Sequence, residues 1–186
     1  MGRETQSPPL QARSPASGQS SGRGLLLGCR LVTRQVAAPS QSVWDVLADG
    51  WFYAAWVVGA SRVRDVDSAW PATGSRVHHS FGVWPAVLND ISEVLECDPG
   101  RLLVIKAQGR PAGAALVRLT ISPDGPGSCT VGIVEDAVAG PGRAVPQVVR
   151  QSLIVPRNTE ALRRLGLIAQ GRRGQSDVGA PAGRPA

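Results

Sequence analysis

The stretch from Gly74 to Val138 leaves this chain few ways to fold. Five segments in it have strand length and strand patterning: Arg76–Phe81, Val87–Glu96, Leu102–Gln108, Ala114–Ser122 and Cys129–Val138. Turn-forming residues separate them: Trp84-Pro85, Asp98-Pro99-Gly100, Arg110-Pro111-Ala112-Gly113 and Asp124-Gly125-Pro126-Gly127. Such short connections predict a meander of antiparallel strands. A meander has one face to bury, and the helical segments on either side are the only material available to bury it.

Alternation assigns the faces. Ala115, Val117, Leu119 and Ile121 form a uniformly apolar set and are the best core candidates, with Arg118 and Thr120 turned to solvent. Leu103, Ile105 and Ala107 form the more apolar side of their strand, which leaves Lys106 outside. Glu135 shares a face with Val131 and Ile133, and Asp136 points the other way.

Before the meander, Arg30–Ala38 alternates as a short strand that Pro39 stops. Ser40 is a plausible N-cap for a helix over Gln41–Ala48, with Val43, Val46 and Leu47 on one stripe and Trp44 beside it. Gly50 ends that helix. Trp51–Val58 reads as a second short helix, rich in aromatics, and Gly59 releases the chain into Ala60–Asp67. Charges on both faces of that segment mark it as an edge strand.

After the meander, Ala139-Gly140-Pro141-Gly142 is a clear break. From about Val145 to Gln170 the pattern is helical. Val148, Val149, Ser152, Leu153 and Val155 lead, and Asn158, Ala161, Leu162, Leu165, Ile168 and Ala169 follow. Pro156 predicts a kink or a restart. Gly171 is the predicted end.

Composition places tails around one domain. Residues 1–28 and 171–186 are rich in Gly, Pro, Ser and Arg and are expected to be disordered, leaving 29–170 as the folded unit. Leu25-Leu26-Leu27-Gly28-Cys29 looks like a lipoprotein cleavage box, but its apolar run is far shorter than the ~7–15 residues a signal sequence needs. The net charge of +6 comes mostly from the tails, which carry Arg3, Arg13, Arg23, Arg172, Arg173 and Arg184 against Glu4 and Asp177. The middle interleaves its signs, which argues against a nucleic-acid reader. No apolar run approaches the ~18 residues of a membrane span. Three cysteines, Cys29, Cys97 and Cys129, have no paired spacing, which argues against a disulfide framework or a zinc site and suits a cytoplasmic protein.

The order of elements, with Ser42-Val43-Trp44-Asp45-Val46-Leu47-Ala48-Asp49, Trp51, Trp56-Val57-Val58-Gly59-Ala60 and Trp70-Pro71-Ala72-Thr73-Gly74-Ser75, resembles the SRPBCC superfamily. Glu93-Val94-Leu95-Glu96 through Arg101-Leu102, and Arg157-Asn158-Thr159-Glu160-Ala161-Leu162, fit as well. This START-like, helix-grip group includes polyketide cyclases/dehydrases, and the chain looks most like its small single-domain actinobacterial members. The likeness spans about Leu31 to Ala169. It implies an α+β fold, with a curved antiparallel sheet of roughly seven strands around one long C-terminal helix and two short helices between the first two strands. It also implies a deep apolar cavity between sheet and helix, with the short helices at its mouth.

The chemistry-bearing candidates are few. His78 and His79 are the only histidines, and adjacent strand residues face opposite ways, so at most one can face a cavity. Glu135 is a second candidate for proton transfer. The plain alternatives are packing or surface for the histidines and an ion pair with an arginine for Glu135. Trp51, Tyr53, Trp56 and Trp84 are candidates for a mouth that stacks on a ligand, with Val117, Leu119 and Leu153 as apolar wall. There is no G-x-S-x-G elbow, P-loop, dinucleotide fingerprint or metal-ligand spacing, so neither cofactor nor metal is expected. The expected partner is a small hydrophobic molecule, and the expected state a monomer or homodimer without stable membrane insertion.

Overall fold

The meander closes into one seven-stranded antiparallel sheet in the order β1-β7-β6-β5-β4-β3-β2. The computed structural model describes residues 26, 28–82, 85, 87–109, 111 and 113–178, with side chains through residue 172. The strands are β1 (Val32–Val36), β2 (Ala60–Val66), β3 (Arg76–Phe81), β4 (Leu88–Asp98), β5 (Leu102–Gly109), β6 (Gly113–Gly125) and β7 (Ser128–Ala139). Each strand from β2 to β7 pairs with the next in sequence, and β1 returns beside β7. The charged strand β2 is an edge, as its pattern predicts.

Between the two edge strands lie helix α1 (Ser40–Ala48), a 3₁₀ turn (Gly50–Phe52) and the single-turn helix α2 (Tyr53–Trp56). Helix α1 buries Val43, Trp44, Val46 and Leu47. Its start differs from expectation. Pro39 occupies the N-cap position, Ser40 is already helical, and no side chain caps the helix. At its other end, Trp70 Nε1 donates to the Leu47 carbonyl at 3.1 Å, and Asp49 Oδ1 accepts from the Trp51 amide at 3.2 Å to start the 3₁₀ turn.

A second 3₁₀ turn (Pro141–Ala144) leads into helix α3 (Gln147–Val178). Pro156 lies inside α3, which does not restart there, and the helix continues past Gly171. Its second half follows the predicted pattern, with Ala161, Leu162, Leu165 and Ala169 buried in the core with Leu103, Leu119 and Ile133. Its first half does not. Val148 is 84% exposed and Leu153 72%, while the buried residue there is Gln151. No helix among the described residues is long and apolar enough to cross a membrane.

Candidate functional site

The concave face of the sheet is filled unevenly, and its cross-strand rows show why. Leu103, Leu119 and Ile133 stand opposite one another across β5, β6 and β7. All three are buried, packed in one core with Leu162 and Leu165 of α3. Two residues along each strand, the row is Ile105, Val117 and Glu135; two further, it is Ala107, Ala115 and Ala137. Apolar bulk falls away along the rows, so the sheet and helix meet at one end and stand apart at the other. The space left is a cavity of about 410 Å³, roofed by Ile154, Asn158 and Ala161 of α3. That volume lies within the ~300–1,000 Å³ of ordinary ligand pockets.

Tight backbone approaches shape its rim. Gly113 has φ +121°, and a Cβ there would sit 1.9 Å from the Ala139 carbonyl oxygen. Gly59 has φ +97°, and a Cβ there would sit 2.4 Å from the Phe81 ring, itself part of the cavity wall. Neither position accepts a side chain. Tyr53, Trp56, Val57 and Val58 complete this side.

Polar groups gather at two places. On the β3–β4 side, Ser92 Oγ lies 2.6 Å from Tyr53 Oη and 3.0 Å from His79 Nε2. The Tyr53 and His79 rings stack with centroids 5.0 Å apart. Burial disfavours the phenolate and pushes the Tyr53 pKa up to about 12, against the opposing effect of the Ser92 hydrogen bond. Burial also lowers the pKa of His79, so its ring is neutral at pH 7. On the β7–α3 side, Arg157 Nη2 pairs with the buried carboxylate of Glu135. Six residues earlier in α3, Gln151 Nε2 donates to the Glu135 carbonyl at 2.9 Å, and its Oε1 accepts from the Arg30 amide at 3.0 Å.

The structure brings His79, Glu135, Tyr53, Trp56, Val117 and Leu153 to one cavity. Leu153 does so from the rim, which explains its exposure. His78 faces away, with Nε2 3.9 Å from Asp67 Oδ1. Trp51 is 60% exposed and lies off the cavity, because the 3₁₀ turn directs it outward. Leu119 belongs to the packed row, where α3 reaches the sheet, and does not line the cavity. Trp84 lies outside the described residues. Glu135 satisfies both readings of its pattern at once, facing the cavity and pairing with an arginine. Ser92, Arg157 and the alanine row are functional candidates that sequence reasoning passed over. Ser92 sits in a strand that reads as ordinary; the pairing of β3 with β4 sets it diagonal to His79, and α2 brings Tyr53 to it.

An antiparallel sheet closed over one long helix, with an apolar cavity between them, defines a helix-grip, ligand-binding class of protein. Within it, the chain belongs to the family described as polyketide cyclase/dehydrase and lipid transport, whose model matches residues 31–167. Solved structures agree in fold. The Zhui aromatase/cyclase from Streptomyces sp. R1128 is similar at 19% identity and a TM-score of 0.60, over 82% of this chain and 99% of that one. The di-domain aromatase/cyclase StfQ of the steffimycin biosynthetic pathway is similar at 15% identity and a TM-score of 0.62, over 82% of this chain and 53% of that one. A protein from Nitrosomonas europaea is similar at 14% identity and a TM-score of 0.59, over 78% of this chain and 96% of that one. At these identities the likeness is one of fold. No curated protein matches the sequence.

Proposed function

We propose that this protein holds a small hydrophobic or aromatic molecule, lipid-like or polyketide-like, in the cavity between the sheet and α3. The observation that carries this reading is the volume taper. Three alanines occupy the places where a packed core would carry leucine or isoleucine, and aromatic side chains wall the space they leave. In this reading the protein works in the cytoplasm as a monomer or homodimer, without nucleic acid and without stable membrane insertion. Native mass spectrometry of the purified protein tests it. A few hundred daltons of extra mass that vanish on denaturation support it. An empty protein is then screened by thermal shift against aromatic polyketides and fatty acids, where a ligand at ~100 times its Kd adds about 2.7 kcal/mol. A flat screen on an empty protein overturns the reading.

A second reading is an enzyme of the polyketide cyclase/aromatase kind, in which the cavity bends a poly-carbonyl chain and positioning supplies much of the rate. Its support is the presence of both His79 and Glu135 in the cavity wall, at separate places, where one can accept and the other deliver a proton. Its test is formation of a cyclised product from a poly-carbonyl thioester. Product from the protein that is lost in His79→Ala supports catalysis, and product independent of both side chains refutes it.

A further inference from the structure

The apolar wall of the cavity continues outward onto the surface of the molecule. The strand ends at Phe81, Gly109 and Gly113 border the mouth. Beside it, Val148, Val149 and Leu153 form an exposed apolar ridge along the first half of α3, and Val145 extends it. Ser152, the polar residue on this ridge, donates its hydroxyl to the Val149 carbonyl at 2.7 Å and so keeps its proton within the helix. On the sheet side of the mouth, Leu88 is exposed opposite Phe81. Leu153 belongs to both surfaces, lining the cavity and facing solvent.

Charge at this end is one-sided. Asp90, Glu135 and Asp136, the carboxylates near these strand ends, are buried, and the last two are paired with Arg157 and Arg150. Arg62 and Arg143 are exposed here. Among the described residues they bond to Ser80 Oγ and to the Val138 carbonyl, and neither meets a carboxylate. The exposed Asp98 and Asp124 lie at the opposite strand ends. The mouth is therefore flanked by apolar and cationic groups.

An exposed apolar patch of this kind marks a contact surface. Protein partners are anchored by side chains that fill pockets, whereas this ridge stands out from the surface, with Val148 the most exposed apolar residue on it. A second copy needs about 20–30 residues a side for a standard interface, far more than the ridge supplies. A lipid surface needs neither a pocket nor a broad flat face. It takes the apolar face of a helix lying in its plane, and anionic headgroups attract the cations beside it. A hydrophobic ligand would then pass between cavity and lipid without crossing water.

We propose that the cavity mouth docks on an anionic lipid surface, with the ridge of α3 in the headgroup layer and Arg62 and Arg143 facing lipid phosphate. The contact is shallow and reversible, short of insertion. It rests on the binding reading for its purpose, but it is measured with no ligand present.

The test is flotation of the full chain with vesicles of phosphatidylcholine alone or with roughly one third phosphatidylglycerol. Binding to the anionic vesicles should be about 10-fold tighter or more, and should weaken with salt. The double variant Val148→Ser/Val149→Ser should lose at least ~10-fold on those vesicles. Both residues are exposed, so its Tm should match the parent's. Arg143→Gln should lose about 5-fold. Absence of flotation, or equal flotation with both vesicle types, overturns the proposal. So does flotation that survives the double variant, in which every arginine of the two tails remains. An oligomer that the double variant dissociates, with no flotation, gives the face to a second copy and overturns it as well. Uptake of 2-isopropenylnaphthalene without vesicles should be equal in parent and double variant, because neither valine lines the cavity. Flotation without any such uptake counts against the binding reading alone.

Discussion

Filling the alanine row should make the empty protein more stable and the cavity useless. Ala115 stands in the middle of that row, with Ala107 and Ala137 directly across from it on the two neighbouring strands. Ala115→Leu adds three carbons to a partly buried position on the cavity wall. Full removal of those carbons from water is worth about 2 kcal/mol. The cavity opens at its rim, so about half of that, ~1 kcal/mol, is the expected gain. For a chain of this size, that raises Tm by roughly 2–4 °C. If the row were instead tightly packed, the same substitution would force side chains off their rotamers and cost about 1–3 kcal/mol. The two cases differ in sign, which makes calorimetry a clean assay. Leu119→Ala, further along the same strand in the packed row, serves as the contrast and should cost about 2–5 kcal/mol. Binding of an apolar probe such as 2-isopropenylnaphthalene should be lost in Ala115→Leu. A variant that is less stable than the parent, or that binds the probe as well as the parent does, refutes the taper argument.

Two further outcomes follow from the polar groups. Arg157→Met leaves the Glu135 carboxylate buried without its partner and should lower stability by about 3 kcal/mol, the low end for such a pair because Arg157 is itself a third exposed. Adding Glu135→Leu should restore most of that loss in urea titrations. Tyr53 is the only tyrosine, so phenolate absorbance reports on one group. It should appear near pH 12 in the folded protein and near pH 10 in urea. Because the unfolded chain releases that proton first, stability should fall as pH rises from about 10; absorbance appearing at the same pH in both states contradicts the burial argument.

Period-two alternation alone makes the faces of the sheet legible. It separates His78 from His79, turns Glu135 inward with Val131 and Ile133, and leaves Lys106 outside, and all three hold. It does not say which histidine faces in, because that depends on which face of β3 joins the core. Nor does it show the taper. Ala107, Ala115 and Ala137 are ordinary alanines in three separate strands, and they become one row only through the register of β5, β6 and β7. The same holds for Ser92, whose meaning comes from Tyr53, distant in the chain and 2.6 Å away in space. Long-range pairing, not local pattern, makes the site.

The first half of α3 carries the same lesson from the other side. Its apolar residues suggest a buried stripe, yet Val148 and Leu153 are exposed. A helix that roofs an open space has nothing apolar beneath it to pack against. It must be held by directed bonds, and side chains of α3 supply them, beginning with Gln147, whose Nε2 donates to Asp136 Oδ2 at 3.4 Å. Arg150 binds both oxygens of Asp136 at 2.8 and 2.7 Å, Gln151 donates to the Glu135 carbonyl, and Arg157 pairs with the Glu135 carboxylate. All four reach the same two residues of β7, next to the alanine row. Beyond Ala161 the helix meets the sheet, and Leu162 and Leu165 take over. The polar anchoring of this half of the helix and the emptiness beneath it are thus consequences of one cause. Replacing the anchors with apolar side chains would let the helix settle toward the alanines and close the cavity.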